Sequence, residues 1–163
     1  LTKAAGDPLC FPGGRPFITQ MTDAGLLGRA IRWAADNEKC WGQTFNVTNG
    51  DELVWRSIWP AIADVFDMPL GEDTRQQLAA TMPKRTKEWA ALVRKQNLVP
   101  LVMDQLVGGS WQFADAVFGY AGANHTLLST IKIRQYGFVE CMDTEIMFRT
   151  HLRALQNARI LPK

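Results

Sequence analysis

The residues that could do chemistry are few and scattered. A serine hydrolase needs a Gly-x-Ser-x-Gly elbow, and Gly108-Gly109-Ser110-Trp111 does not supply one. His125 and His151 stand apart, and Cys10, Cys40 and Cys141 are isolated, so no metal-ligand spacing arises. The sequence holds neither a Walker loop nor the Gly-x-Gly-x-x-Gly turn that admits a dinucleotide. Asp143 and Glu145 sit where helix capping accounts for them. No catalytic set, and no metal site, is assigned from these residues. The chain reads as part of an active site rather than a whole one.

Aromatic residues carry more information. The chain has 6 Trp and 8 Phe, and several fall in Ser110-Trp111-Gln112-Phe113-Ala114-Asp115-Ala116-Val117-Phe118-Gly119-Tyr120. On a helix, Trp111 and Phe118 share one face with Ala114 or Asp115. Phe113 and Ala116 share another with Val117 or Tyr120. Two apolar faces mean either deep burial or one face lining an apolar cavity.

The elements that would position this segment change character along the chain. Phe11-Pro12-Gly13-Gly14 is a turn-rich loop, and Phe17-Ile18-Thr19-Gln20-Met21 has the partial alternation of a strand. Thr22 is expected to cap a helix in which Leu27, Ile31 and Ala34, with Leu26, Ala30 and Trp33, bury a broad face. Thr44-Phe45-Asn46-Val47-Thr48 alternates like a strand, and Asn49-Gly50 ends it with a turn signal. Asp51 then opens a helix striped by Trp55, Ile58, Trp59, Ile62 and Phe66, with Pro60 tolerated only near its start. Strand, helix, strand, helix is the order of an α/β sheet. Beyond Gly71 the pattern becomes mainly helical: 74–82, 84–95, 103–106, 110–118, 126–136 stopped by Gly137, and a last helix capped by Asp143. Leu1-Thr2-Lys3-Ala4-Ala5 reads as the tail of a helix that begins outside this chain.

The totals bound the partners. The 163 residues suffice for one domain; 47% are hydrophobic and 21% charged, an ordinary globular composition. Eighteen basic and 16 acidic side chains leave a formal charge of +2, which gives no argument for nucleic acid. The run Lys84-Arg85-Thr86-Lys87 is read as a solvated helix face. An odd number of distant cysteines, no long apolar run and no signal-like start predict a cytoplasmic protein without a membrane segment. The sequons at Asn46 and Asn124 are then chance occurrences.

Taken in order, the motifs resemble a known family. Phe11-Pro12-Gly13 is followed by Thr22-Asp23-Ala24-x-Leu26-Leu27 with Trp33-Ala34-Ala35. Phe45-Asn46-Val47-Thr48-Asn49-Gly50-Asp51 comes next, with Trp55 and Trp59-Pro60, then Trp89 and Ser110-Trp111-x-Phe113-Ala114-Asp115. Ile131-Lys132-x-Arg134-x-x-Gly137-Phe138, Asp143-Thr144-Glu145 and Ile160-Leu161-Pro162 close the series. Together they resemble the C-terminal portion of progesterone 5β-reductase/iridoid synthase-like extended short-chain dehydrogenases/reductases.

That resemblance implies an α/β fold: residues 1–70 as the last strands of a Rossmann-type sheet, and 71–163 as a mainly helical substrate-binding part. It implies a parent reductase that moves hydride from NADPH or NADH to an activated C=C or C=O bond of a small apolar enone, aldehyde or ketone. The family's glycine-rich loop and catalytic Tyr and Lys have no counterpart here. Neither Tyr120 nor Tyr136 matches that Tyr, so this chain alone is expected to be inactive and to bind no nucleotide tightly. By the same resemblance Phe113 matches a pocket-lining aromatic and Thr19 a small hydroxyl near it. Ala116 and Val117 lie one turn further along that wall, and Trp111 stands beside Phe113 in the motif. Asn46 and Asn49 are read as structural, and Lys132 and Arg134 as a solvated face. The implied partner is the N-terminal half of the same fold, or a second copy of the chain.

Overall fold

The computed structural model describes residues 1–120, 122 and 124–163. A four-residue helix α1 (Thr2–Ala5) precedes the turn-rich loop and the short strand β1 (Ile18–Thr19). Helix α2 (Ala24–Ala35) is followed, after a 3-10 turn at Glu38–Cys40 and a stretch without regular structure, by strand β2 (Leu53–Val54) and helix α3 (Trp55–Val65). The rest is helical: α4 (Leu78–Thr81), α5 (Thr86–Lys95), α6 (Met103–Val107), α7 (Trp111–Val117), α8 (Ile131–Gln135) and α9 (Thr144–Asn157). Among the described residues no helix is long and apolar enough to cross a membrane.

β1 and β2 pair antiparallel, Ile18 opposite Val54 and Thr19 opposite Leu53. The second strand therefore differs from the expected one. Residues 44–48 have strand-like alternation, yet among the described residues their main chain exchanges no hydrogen bond with another main-chain segment. Alternation fits a half-buried pleated surface, but a strand also needs a neighbour to complete its ladder. Its hydrogen bonds involve side chains: the Thr22 hydroxyl donates to the Val47 carbonyl at 2.9 Å, and the Asn46 amide to the Ser129 carbonyl at 3.1 Å.

With its hydroxyl so engaged, Thr22 does not cap α2. Asp23 does, its Oδ1 accepting the Leu26 N–H at 2.8 Å. One side of α2 packs Leu26 and Ala30 against Ile133 and Phe138, with Trp33, Phe45, Val47 and Met142 around them. The other apolar stripe is bare: Leu27 is 40% and Ile31 62% exposed, so the broad face expected from the spacing is only half covered. A second cluster joins Trp89, Leu92 and Val93 of α5 to Leu98 and Met103.

Helix α3 begins at Trp55 and runs through Pro60, forgoing one intrahelical bond to the Arg56 carbonyl. It packs along α9, whose cap is the expected Asp143, accepting the Ile146 N–H at 2.8 Å. Between the starts of α2 and α9 lies a buried polar node. Asn49, with no exposed surface, accepts the Asp23 N–H at 2.6 Å and donates to the Thr144 hydroxyl at 3.0 Å. Its main chain bonds Met21 and Met142. Asp51, expected to open α3, instead turns its carboxylate to the Thr144 N–H and hydroxyl, at 2.9 and 2.6 Å.

Candidate functional site

Helix α7 is fixed from three sides before any ligand is considered. Asp115, 8% exposed, accepts the N–H groups of Leu78 and Ala79 at 2.7 and 3.1 Å. It thus caps α4 from outside, where a carboxylate meets the positive end of a helix. Next to it Phe118 enters an aromatic cluster, with ring centroids 4.9 Å from Trp55, 5.4 Å from Trp59 and 6.0 Å from Phe11. The third tie is the turn-rich loop. Gly14 donates its N–H to the Phe118 carbonyl at 3.0 Å. A Cβ at Gly14 would stand 2.3 Å from the Gly119 carbonyl oxygen, so only glycine lets the two main chains approach.

These ties divide the two faces of α7. Trp111 and Asp115 look away from β1, Trp111 packing against the Trp89–Met103 cluster. Phe113, Ala116 and Val117 look toward β1 and line a cavity of about 750 Å³. Thr19 lines it from β1 together with Phe17, Gln20 and Met21, and Trp55 from the start of α3. Gly122, Asn124 and Thr126 complete the wall. So four of the residues singled out from the sequence, Thr19, Phe113, Ala116 and Val117, meet around one cavity, and Trp111 lies elsewhere. Phe113 is 69% exposed and stands at an open side.

Trp55, Gln20 and Asn124 were not legible as cavity residues. Trp55 reads as one more position of an apolar helical stripe; first in α3, it both packs on Phe118 and Phe148 and lines the cavity. Residues 124–126 are brought to the cavity by contacts more than 100 residues apart in sequence, among them the Thr126 N–H donated to the Ile18 carbonyl at 3.0 Å. Separations of this kind leave no periodic signal in a sequence.

Among the described residues no lining residue is ionisable. The polar groups of the described lining side chains are the hydroxyls of Thr19 and Thr126, the amides of Gln20 and Asn124 and the indole N–H of Trp55, and Gln20 Oε1 already accepts the Leu128 N–H at 2.7 Å. Such a wall can hold and orient an apolar molecule bearing a carbonyl or hydroxyl. It offers no general acid or base. Among the described residues no group of His, Cys, Asp and Glu could hold a metal ion.

The N-termini of the two longest helices, α2 and α9, are filled by the carboxylates of Asp23 and Asp143 and so offer a phosphate no free N–H groups. Lys132 lies over the rings of Phe45 and Tyr136, its Nζ 5.2 and 6.0 Å from their centroids.

Asp23 is a perturbed carboxyl. Its hydrogen bond to His151, 2.9 Å from Oδ2 to Nε2, and then the Leu26 N–H hold it below the usual carboxylate range. Both contacts belong to the cap of α2, away from the cavity.

No family model matches the chain. It is similar over 99% of its length to two named plant enzymes: 27% identical across 168 residues to an (S)-8-oxocitronellyl enol synthase of Antirrhinum majus, and 26% identical across 169 residues to a 3-oxo-Delta(4,5)-steroid 5-beta-reductase of Arabidopsis thaliana. An (S)-8-oxocitronellyl enol synthase of Catharanthus roseus is 26% identical across 171 residues. The chain spans 42% of the length of each.

Proposed function

We propose, from this similarity to progesterone 5β-reductase/iridoid synthase-like proteins, that the chain is the substrate-side portion of an NAD(P)H-dependent reductase. Its cavity would take a small apolar enone, aldehyde or ketone. The observation that carries the reading is the meeting of Thr19, Phe113, Ala116 and Val117 around one cavity with no ionisable lining among the described residues. Residues 1–70 and 71–163 are then the end of a nucleotide-binding sheet and a helical substrate-binding part. The nucleotide site, the hydride and the catalytic Tyr and Lys would come from the rest of such a protein.

The partner surface has its own support. Residues 44–48 lack a main-chain partner among the described residues, and Leu27 and Ile31 lie bare beside them on α2. A sheet from the N-terminal half of the fold would pair with the first and cover the second. The same surface favours the second reading, a non-catalytic binding or assembly module in which a second copy of the chain takes that place.

The test is binding of progesterone, an apolar enone, to the 163-residue chain, followed by tryptophan fluorescence. Phe113→Ala is expected to weaken binding about tenfold by removing apolar contact, and Trp111→Ala to change it less. Equal losses in both variants would remove the assignment of the cavity. With NADPH added, no loss of absorbance at 340 nm is expected. Steady turnover, absent from Phe113→Ala, would overturn the division of labour.

A further inference from the structure

One hydrogen bond beside the cavity is made by a side chain where main chain would be usual. β1 has β2 along one edge. On its other edge the two main-chain groups of Ile18 meet residues 125 and 126. The Ile18 carbonyl accepts the Thr126 N–H at 3.0 Å. The Ile18 N–H is donated to Nδ1 of His125 at 2.9 Å. An imidazole nitrogen accepts only while it carries no proton, so this contact requires neutral His125 with its proton on Nε2.

We propose that residues 124–126 form a pH-sensitive latch on one wall of the cavity, closed while His125 is neutral and loosened when it is protonated. Imidazolium carries N–H on both nitrogens. It would set a donor against the Ile18 N–H and leave the segment one bond to the main chain of Ile18, that of Thr126, beside the Leu128–Gln20 bond that follows. Asn124 and Thr126, which line the cavity, flank the switching residue on either side, so the latch bears on ligand retention. In that respect the inference rests on the cavity being the binding site.

The ionisable groups on the surrounding elements are engaged or lie at their ends. Asp115 of α7 caps α4, Arg56 of α3 pairs with Asp73, and Arg75 lies over the Tyr120 ring. Asp23, after β1, is bonded to His151. Arg15 and Glu52, at the approaches to β1 and β2, are exposed. None of these carboxylates bonds to His125 among the described residues, so nothing there holds the imidazolium in the latched position.

The experiment is NMR of the labelled 163-residue chain at about pH 7.5 and about pH 5, a range over which histidine changes charge. At the higher pH the imidazole ¹⁵N shifts should show Nδ1 unprotonated and the Ile18 amide should be protected. On acidification its protection, corrected for the intrinsic pH dependence of exchange, should fall about fivefold, as for loss of one hydrogen bond. His125→Asn offers Oδ1 where Nδ1 stood and should keep the protection at both pH values. His125→Ala should lose it at both. A proton on Nδ1 at the higher pH, or unchanged protection on acidification, would overturn the latch. Binding of the neutral probe N-phenyl-1-naphthylamine over the same series should weaken with acid in the wild type and stay constant in His125→Asn. Equal binding at both pH values, with the Ile18 amide switching, would remove the regulatory role. No binding at any pH, with that switch intact, would count against the cavity alone.

Discussion

Replacing Asp115 by alanine removes a buried carboxylate that two N–H groups of α4 depend on. Leu78 and Ala79 donate to it at 2.7 and 3.1 Å. Hydrogen bonds to a charged group contribute about 1.5–3 kcal/mol each. The pair shares one acceptor and α4 is only four residues long, so fraying would absorb part of the loss. A destabilisation of about 2–4 kcal/mol is expected, a large share of the 5–15 kcal/mol typical of a domain. Urea unfolding followed by circular dichroism would register it as a midpoint lower by about 1–2 M. Asp115→Asn keeps one acceptor oxygen and should recover roughly half of the loss. Because α7 carries Phe113, Ala116 and Val117, the alanine variant should also bind progesterone less well under conditions where it remains folded. An alanine variant within about 0.5 kcal/mol of wild type, a change usual for a surface site, would refute the assignment of Asp115 as the anchor of α7. So would an asparagine variant less stable than the alanine one.

Two other expectations follow from the buried polar node. Asn49→Ala strands the Asp23 N–H and removes the bond that the Thr144 hydroxyl accepts, leaving that hydroxyl only its bond to Asp51, at about 2–4 kcal/mol, whereas Asn46→Ala loses one exposed bond to the Ser129 carbonyl and should change stability by less than about 0.5 kcal/mol. Urea midpoints of the two variants decide this, and similar values would contradict the ranking. Asp23 sets a pH dependence. A carboxyl held below its usual value in the folded state stabilises the fold fully above the unfolded pKa of about 3.9, and that stabilisation is lost as pH falls through the lower folded value. The stability gap between wild type and Asp23→Asn should therefore be widest at about pH 6 and narrow towards about pH 3. A gap that widens with acid would reverse the sign.

How far the fold was legible depended on how local its causes are. The cap of α9 at Asp143 could be read because a capping residue sits beside the N–H it serves. The two faces of α7 were equally legible, since a period of 3.6 separates Trp111 and Phe118 from Phe113 and Ala116. Which face meets the cavity could not be read from the period, because it is decided by Asp115 reaching 36–37 residues back to α4. The alternation in residues 44–48 predicted a strand, but the ladder went to Leu53–Val54, a two-residue strand too short to leave a pattern. Thr22 and Asp23 are both good caps; the Val47 carbonyl claims the first and so settles the choice.

The buried node has a consequence for the order in which the molecule can be completed. Asn49 leaves the ribosome long before Thr144, its partner 95 residues further on. Until then its amide lacks that acceptor, the start of α2 lacks its brace, and α3 lacks the flank of α9. Contacts so distant in sequence form only after a large loop has been closed. The earlier-made segments therefore cannot consolidate one by one as they emerge, and they remain open to chaperones and proteases until α9 docks. Helix α9 acts as a checkpoint on these segments, and damage to it should be felt at the start of α2 and along α3, far from it in sequence.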